Sequence, residues 1–169
     1  MARLLRFWNR IRRGAFYALL LILFALLQDV VLCNIAPFGV KAMFMPALVV
    51  AVGFFEGGWR GGAFGVAAGM IADLSGSDPR VLFTVVYPLL GFAMGFVVEF
   101  FLNRKLYVYC VGAAAALFLC ALLQMFPLLA AAESGRFALW KTCILQSLWS
   151  LPFLFPAYYS CEAAPRVLL

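Results

Sequence analysis

Few side chains in this sequence could do chemistry, and four of them form two acid–cation pairs. Asp29 precedes Lys41 and Asp73 precedes Arg80, and each acid falls near the end of a long apolar run. A carboxylate at such a position either pairs with a cation or faces a polar cavity. With Gln28 they could form a polar site for a partner or ligand. The favoured alternative is two local ion pairs that pin loops, or an Asp73 that caps a neighbouring turn.

The usual catalytic constellations are missing from the sequence. There is no His among the 169 residues, which removes the commonest general base and the commonest metal ligand. A Ser–His or Cys–His nucleophile pair is therefore impossible, and no G-x-S-x-G, H-E-x-x-H or P-loop motif is present. The five cysteines include no C-x-x-C. We expect no enzyme, no metal and no cofactor.

The composition determines where these residues must function. The chain is 67% hydrophobic and 12% charged, with a mean hydropathy of +1.05, whereas soluble domains are about 45–50% apolar. The sequence therefore predicts an integral membrane protein. The net charge of +6 arises largely at the N-terminus, so it indicates contact with membrane lipid and an orientation, and not nucleic-acid binding.

Glycines recur every four residues between residues 56 and 80, and a second glycine pair follows in the next apolar run. Residues four apart share one helix face, and small residues let helices approach closely in a bilayer. This pattern predicts that the helix carrying these glycines, the glycine helix, is the centre of a bundle. The predicted helix-packing residues are Gly57, Gly61, Gly65, Gly69, Gly91 and Gly95.

The hydropathy pattern predicts an all-α bundle of about six transmembrane helices over residues 14–161, between a basic segment 1–13 and a short cytoplasmic tail 162–169. The spans are placed at about 14–32, 42–55, 61–74, 81–102, 106–132 and 137–159. The second and third are short, so they either cross tilted or form a re-entrant hairpin. A cleaved signal peptide, or a lipoprotein with Cys33, is the alternative to a retained first helix, which we favour.

The basic segment places the N-terminus in the cytoplasm. Its five Arg are interleaved with apolar residues, which suits either an interfacial helix or a solvated basic tail. With six crossings, nine Lys and Arg fall on the cytoplasmic side and four on the outer side. This bias obeys the positive-inside rule and predicts a multi-pass membrane protein with both termini cytoplasmic.

Three stretches of the first two thirds of the chain carry a resemblance to a known family. They are Leu27-Gln28, Pro37-Phe38-Gly39-Val40-Lys41 and Gly69-Met70-Ile71-Ala72-Asp73-Leu74-Ser75-Gly76. This order resembles the bacterial rod shape-determining protein MreD family over residues 14–105, whereas residues 106–169 match only in hydropathy. The matching positions are Gln28, Pro37, Gly39, Gly65, Gly69, Asp73 and Gly76. Residues 41–46 depart from the family, in which an Arg/Lys-Pro-Asp-like helix start is common.

The resemblance implies a function that the residues alone do not give. It implies an inner-membrane scaffold of the cell-elongation machinery, which serves rod shape and peptidoglycan synthesis. The implied partner is an MreC-like protein, and through it MreB, RodA and a class B penicillin-binding protein. The family is similar in fold to the substrate-binding subunits of energy-coupling-factor transporters. The alternative function is therefore a vitamin-binding transporter subunit, with its ligand near Asp29, Asp73 and Arg80.

Overall fold

A computed structural model describes residues 2–32, 43–75, 81–100, 105–131 and 136–167, and their regular secondary structure is entirely helical. The helices are α1 (Ala2–Leu26), α2 (Met45–Glu56), α3 (Gly58–Ser75), α4 (Phe83–Phe100), α5 (Leu106–Ala131), α6 (Arg136–Ser150) and α7 (Leu154–Val167). A π-helical segment, Leu27–Leu32, continues α1, and one 3-10 turn, Leu151–Phe153, joins α6 to α7. The all-α prediction is confirmed for these residues.

Three helical stretches are long and apolar enough to cross a membrane. They are Arg12–Val30, in α1 and its π-helical continuation, Phe83–Phe100, which is α4, and Leu106–Phe126, in α5. These stretches support a membrane protein. The count of six crossings stays a prediction.

Helix α2 is the centre of the bundle. Every residue from Met45 to Phe54 is buried, and because these residues are apolar all round, α2 can be enclosed on every side. Its 12 residues reach only about 18 Å at ~1.5 Å per residue, less than the ~30 Å of hydrocarbon. The prediction that the glycine helix α3 is central is wrong, because α3 leaves Trp59 and Leu74 85% exposed.

Helices α5 and α7 pack on α2 through an aromatic cluster. The Tyr109 hydroxyl lies 3.2 Å from the carbonyl oxygens of Ala47 and Leu154, so a single side chain of α5 links α2 and α7. Its ring contacts those of Phe54 and Tyr158, with centroids 5.9 Å and 5.2 Å away. Aromatic pairs at such distances add roughly 0.5–1.5 kcal/mol beyond area burial.

Both ends of the chain are helical where the structure describes them. The basic segment, predicted as an interfacial helix or a solvated tail, is continuous with the first apolar span, because α1 runs from Ala2 to Leu26 without a break. The predicted tail 162–169 is helical as far as Val167, because α7 continues to that residue. The predicted sixth span is divided by the 3-10 turn Leu151–Phe153, which contains Pro152.

Candidate functional site

The glycines of α3 that face α4, Gly58, Gly61, Gly65 and Gly69, form a strip that lies directly against the backbone of α4. A Cβ added to Gly65 would lie 2.6 Å from the backbone nitrogen of Pro88, and one added to Gly69 would lie 2.6 Å from the Cα of Thr84. Real Cβ atoms essentially never come closer than 3.0 Å to such atoms. Only glycine therefore fits at these two positions without moving α4.

The two helices run antiparallel, with glycines on both sides of the contact. A Cβ on Gly91 would lie 2.7 Å from the carbonyl carbon of Gly61, and a Cβ on Gly95 would lie 2.5 Å from that of Gly57. A Cβ on Gly61 would also lie 2.5 Å from the Cα of Gly53. Three helix backbones thus meet at glycines. The sequence reasoning missed Gly53, whose signal was a lone glycine inside the most apolar short span.

Gly57 lies at this contact and has a second role that was not predicted. It ends α2 with a φ of 90°, in the left-handed region that favours glycine. Its N–H donates to the Gly53 carbonyl, 3.1 Å away, and beyond its chain neighbours no described residue has an atom within 4 Å of where its Cβ would be. Gly57 is therefore the turn between α2 and α3. Gly58 takes its place in the strip, because a Cβ there would lie 3.0 Å from the Phe92 carbonyl oxygen.

Asp73, near the end of α3, caps the N-terminus of α4. Its Oδ1 accepts the N–H of Phe83 at 3.0 Å, and its Oδ2 accepts the N–H of Thr84 at 2.8 Å and the Thr84 hydroxyl at 2.6 Å. The first N–H groups of a helix have no partner within the helix, and a carboxylate satisfies both them and the helix dipole. This geometry matches the capping alternative. Arg80 lies outside the described residues, so the Asp73–Arg80 pair stays a prediction.

Gln28 caps the N-terminus of α2, as Asp73 caps that of α4. Its Oε1 lies 3.3 Å from the backbone nitrogens of both Phe44 and Met45. The Ser150 hydroxyl completes the cap by accepting the N–H of Met43 at 3.0 Å. Ser150 was missed, because one Ser in an apolar helix carries no distinguishing pattern.

Of the remaining predicted polar residues, the structure describes only Asp29, which is exposed on the π-helical segment. Lys41 and Arg80 lie outside the described residues. Gln28 and Asp73 lie at two different helix ends at the same end of the bundle, and each accepts hydrogen bonds from backbone N–H groups. This geometry supports a structural role for both.

The opposite end of the bundle holds a polar contact that the sequence reasoning missed. The Tyr17 hydroxyl of α1 donates to Glu56 Oε1 at 3.0 Å, and Arg60 of α3 pairs with Glu56 Oε2. The Glu56 carboxylate thereby links the end of α2 to both α1 and α3. The available signal was an acid at the end of an otherwise apolar span.

Replacing Tyr17 by Phe tests this tie. The free energy of unfolding of the variant is expected to fall by about 1.5–3 kcal/mol, the typical contribution of a hydrogen bond to a charged group. Thermal unfolding in detergent measures the change. Tyr159→Phe is the matched control, because Tyr159 is 58% exposed and should leave the transition in place. Equal transitions for both variants would show that the Tyr17 contact contributes nothing.

Two buried polar atoms lack a hydrogen-bond partner in the part of the chain that the structure describes. They are the Tyr87 hydroxyl of α4 and Oε1 of Gln146 on α6. Tyr87 packs with Cys120 of α5, and Gln146 lies one turn before Ser150. Buried polar atoms are nearly always satisfied, so each is a candidate contact for water or a small ligand. Among the described residues, no group of three or more His, Cys, Asp or Glu could hold a metal ion.

The described residues form a helical bundle in which glycine contacts and side-chain caps join the helices, and three of its helical stretches are long and apolar enough to cross a membrane. Comparisons with protein-family models, curated proteins and solved structures find no match for this chain.

Proposed function

We propose that this protein is a non-enzymatic scaffold of the bacterial cell-elongation machinery that binds an MreC-like partner in the inner membrane. Through that partner it would associate with MreB, RodA and a class B penicillin-binding protein. One observation carries the proposal. Gly65, Gly69 and Asp73, three residues of the MreD-like pattern, lie at the contact that holds α4 close against α3. A closely packed helical hairpin with an apolar outer face suits a protein that positions other membrane proteins.

The outward face of α4 is the surface we assign to the partner. Its large apolar side chains recur at helical spacing and are 43–68% exposed; they are Val85, Leu89, Phe92, Phe96 and Phe100. The last three rings follow one another with centroids 6.2 Å and 4.6 Å apart. Rings already ordered by their neighbours lose little freedom on binding, so this ridge suits a partner's transmembrane helix.

The charge distribution supports the orientation. Arg12, Arg13, Arg60 and Lys105 lie at the Glu56 end of the bundle, whereas Asp73, Arg136 and Lys141 lie towards the other end. By the positive-inside rule, the larger number of cations at the Glu56 end favours a cytoplasmic location for that end. The exposed apolar face of α4 would contact a partner helix that lies in the same membrane. Both termini of this chain would be cytoplasmic.

A steric substitution on the ridge tests the assignment. Leu89→Trp is expected to reduce co-purification of an MreC-like partner at least several-fold, because the larger side chain occupies the proposed contact. Val111→Trp on α5 is the control, because Leu89 is 68% and Val111 69% exposed. Equal partner recovery with both variants would remove α4 from the interface. Depletion in a rod-shaped host tests the function, since cells should round or bulge.

The second candidate is a small-molecule binding subunit of a vitamin transporter. It is favoured by the Tyr87 hydroxyl and Gln146 Oε1, since both are buried without a hydrogen-bond partner in the described residues. A small molecule that survives purification, and is lost on Tyr87→Phe, would support this function. If depleted cells keep their normal shape but require a vitamin, the transporter function is supported and the scaffold function is wrong.

A further inference from the structure

The first turns of α1 hold the densest charge in the chain. Residues 1–13 contain five Arg, and the first acid of the whole sequence is Asp29. Arg3, Arg6, Arg10 and Arg13 follow helical spacing, and Leu4, Phe7, Trp8 and Ile11 form a second set at the same spacing. Because α1 is helical from Ala2 onward, the basic and apolar sets occupy different sides of one helix.

This stretch extends beyond the central helices. The Tyr17–Glu56 hydrogen bond marks the level on α1 at which α2 ends. Ala2 is 15 residues before Tyr17 in the same helix, which is about 22 Å at ~1.5 Å per residue. The amphipathic part of α1 therefore lies past the α2–α3 turn, where the apolar core gives way to charged side chains.

Gly14 lies between the basic stretch and the apolar span, and packing does not require it. Beyond the backbone of α1 itself, no described residue has an atom within 4 Å of where its Cβ would be, whereas Cβ atoms at Gly61, Gly65 and Gly69 would collide with α4. A glycine inside a helix lowers its stability by roughly 1 kcal/mol relative to Ala. A glycine here gives α1 a point of easy bending between its two halves.

Other cations lie at the same end of the bundle. Arg60, on α3, has a side chain 52% exposed although it pairs with Glu56, and Lys105 is exposed before α5 with its ammonium 5.9 Å from the Tyr107 ring centroid. Trp59, beside Arg60, is 85% exposed. Aromatic rings next to cations are typical of the level of the lipid headgroups.

We propose that residues 2–13 of α1 bind anionic phospholipid headgroups of the same bilayer, bending at Gly14 to lie along its surface. Guanidinium groups bind phosphate through paired hydrogen bonds and keep their charge at any physiological pH. The apolar set would enter the headgroup–acyl boundary, while the basic set meets the phosphates. The inference is independent of the scaffold function, because it needs no protein partner.

An acidic protein surface is a weaker occupant than lipid. It would match the charge but would leave Leu4, Phe7 and Trp8 without an apolar environment. The bilayer supplies both, and the covalent continuity of α1 with the span at Arg12–Val30 holds this segment within reach of the headgroups. Charge, apolar pattern and position therefore favour the bilayer together.

The test compares two double substitutions that remove the same charge from opposite ends of the bundle. Arg6→Gln with Arg10→Gln changes the basic stretch, whereas Arg136→Gln with Lys141→Gln changes α6. Each full-length protein is purified in detergent, and its unfolding temperature is measured with added phosphatidylglycerol or phosphatidylcholine. Wild type and the α6 variant should be stabilised by phosphatidylglycerol beyond the phosphatidylcholine effect, and the α1 variant should lose at least half of that difference.

Two further results decide the outcome. Gly14→Leu should fold without lipid at least as stably as wild type, because no described neighbour meets its Cβ and leucine is the better helix former, yet it should weaken the phosphatidylglycerol effect. If the α1 and α6 variants respond equally to phosphatidylglycerol, the proposal is wrong. An unchanged lipid response together with loss of a co-purifying acidic protein from the α1 variant would assign this stretch to a protein partner instead.

Discussion

A protein carrying Gly65→Leu is expected to lose most of its folded, monodisperse fraction. Even a Cβ at this position would lie 2.6 Å from the backbone nitrogen of Pro88 and 2.6 Å from the carbonyl carbon of Tyr87. Backbone cannot rotate away as a side chain can, so α4 must move as a whole. Overpacking in a tight interior typically costs about 1–3 kcal/mol, and leucine against backbone should reach or exceed the upper figure. Size-exclusion chromatography and thermal unfolding in detergent measure the loss.

The control lies three residues away on the same helix. A Cβ at Gly62 would meet only Phe92 Cβ and the Pro88 carbonyl oxygen, each at 3.7 Å, which is ordinary contact. Gly62→Ala should therefore fold at least as stably as wild type, because alanine is the better helix former. A Gly65→Leu protein as stable as Gly62→Ala would show that α3 and α4 are not held at this distance.

The same pair of variants separates folding from partner binding. If Gly65→Leu folds normally but no longer co-purifies with the MreC-like partner, the strip contacts the partner and not α4. If both folding and association are lost, the effect on association follows from the collapsed hairpin. Leu89→Trp, which changes only an exposed side chain of α4, is then the variant that reports on the interface.

The sequence could predict the glycine contact because its signal is local. Residues four apart share a helix face regardless of what surrounds the helix. The spacing from Gly61 to Gly69 therefore predicts a shared glycine face without any knowledge of the tertiary structure. The sequence could not tell which helix is enclosed. That depends on how many neighbours surround each helix, and α2 is enclosed by residues as distant in the chain as Leu154 and Tyr158.

Gln28 and Asp73 show a different limit. Their types and positions at the ends of apolar runs singled them out, but their partners are backbone N–H groups of the following helix. Backbone donors carry no sequence signal, so a cap across a loop looks the same as half of an ion pair. For that reason the sequence left Asp73 open between a cap, an ion pair and a binding site.

Asp73→Ala is expected to destabilise the protein by roughly 2–4 kcal/mol. It removes three hydrogen bonds at the start of α4, at 3.0, 2.8 and 2.6 Å. Bonds to charged groups are worth about 1.5–3 kcal/mol each, and loss of an N-cap alone costs about 0.5–2 kcal/mol. The total stays below a simple sum because water can reach a helix end near the surface. Thermal unfolding should rank wild type first, then Asp73→Asn, which keeps one acceptor oxygen, then Asp73→Ala.

Hydrogen exchange distinguishes a cap from a partner-binding acid at this position. If Asp73 is a cap, the amides of Phe83 and Thr84 should exchange faster in Asp73→Ala, while those of the Gly65 region change less. Asp29→Ala is the control, because Asp29 is exposed and should alter neither exchange nor unfolding. If Asp73→Ala keeps both the exchange pattern and the unfolding temperature but loses the MreC-like partner, the carboxylate belongs to the partner site. The close packing of α3 against α4 would then have to come from the glycine contacts alone.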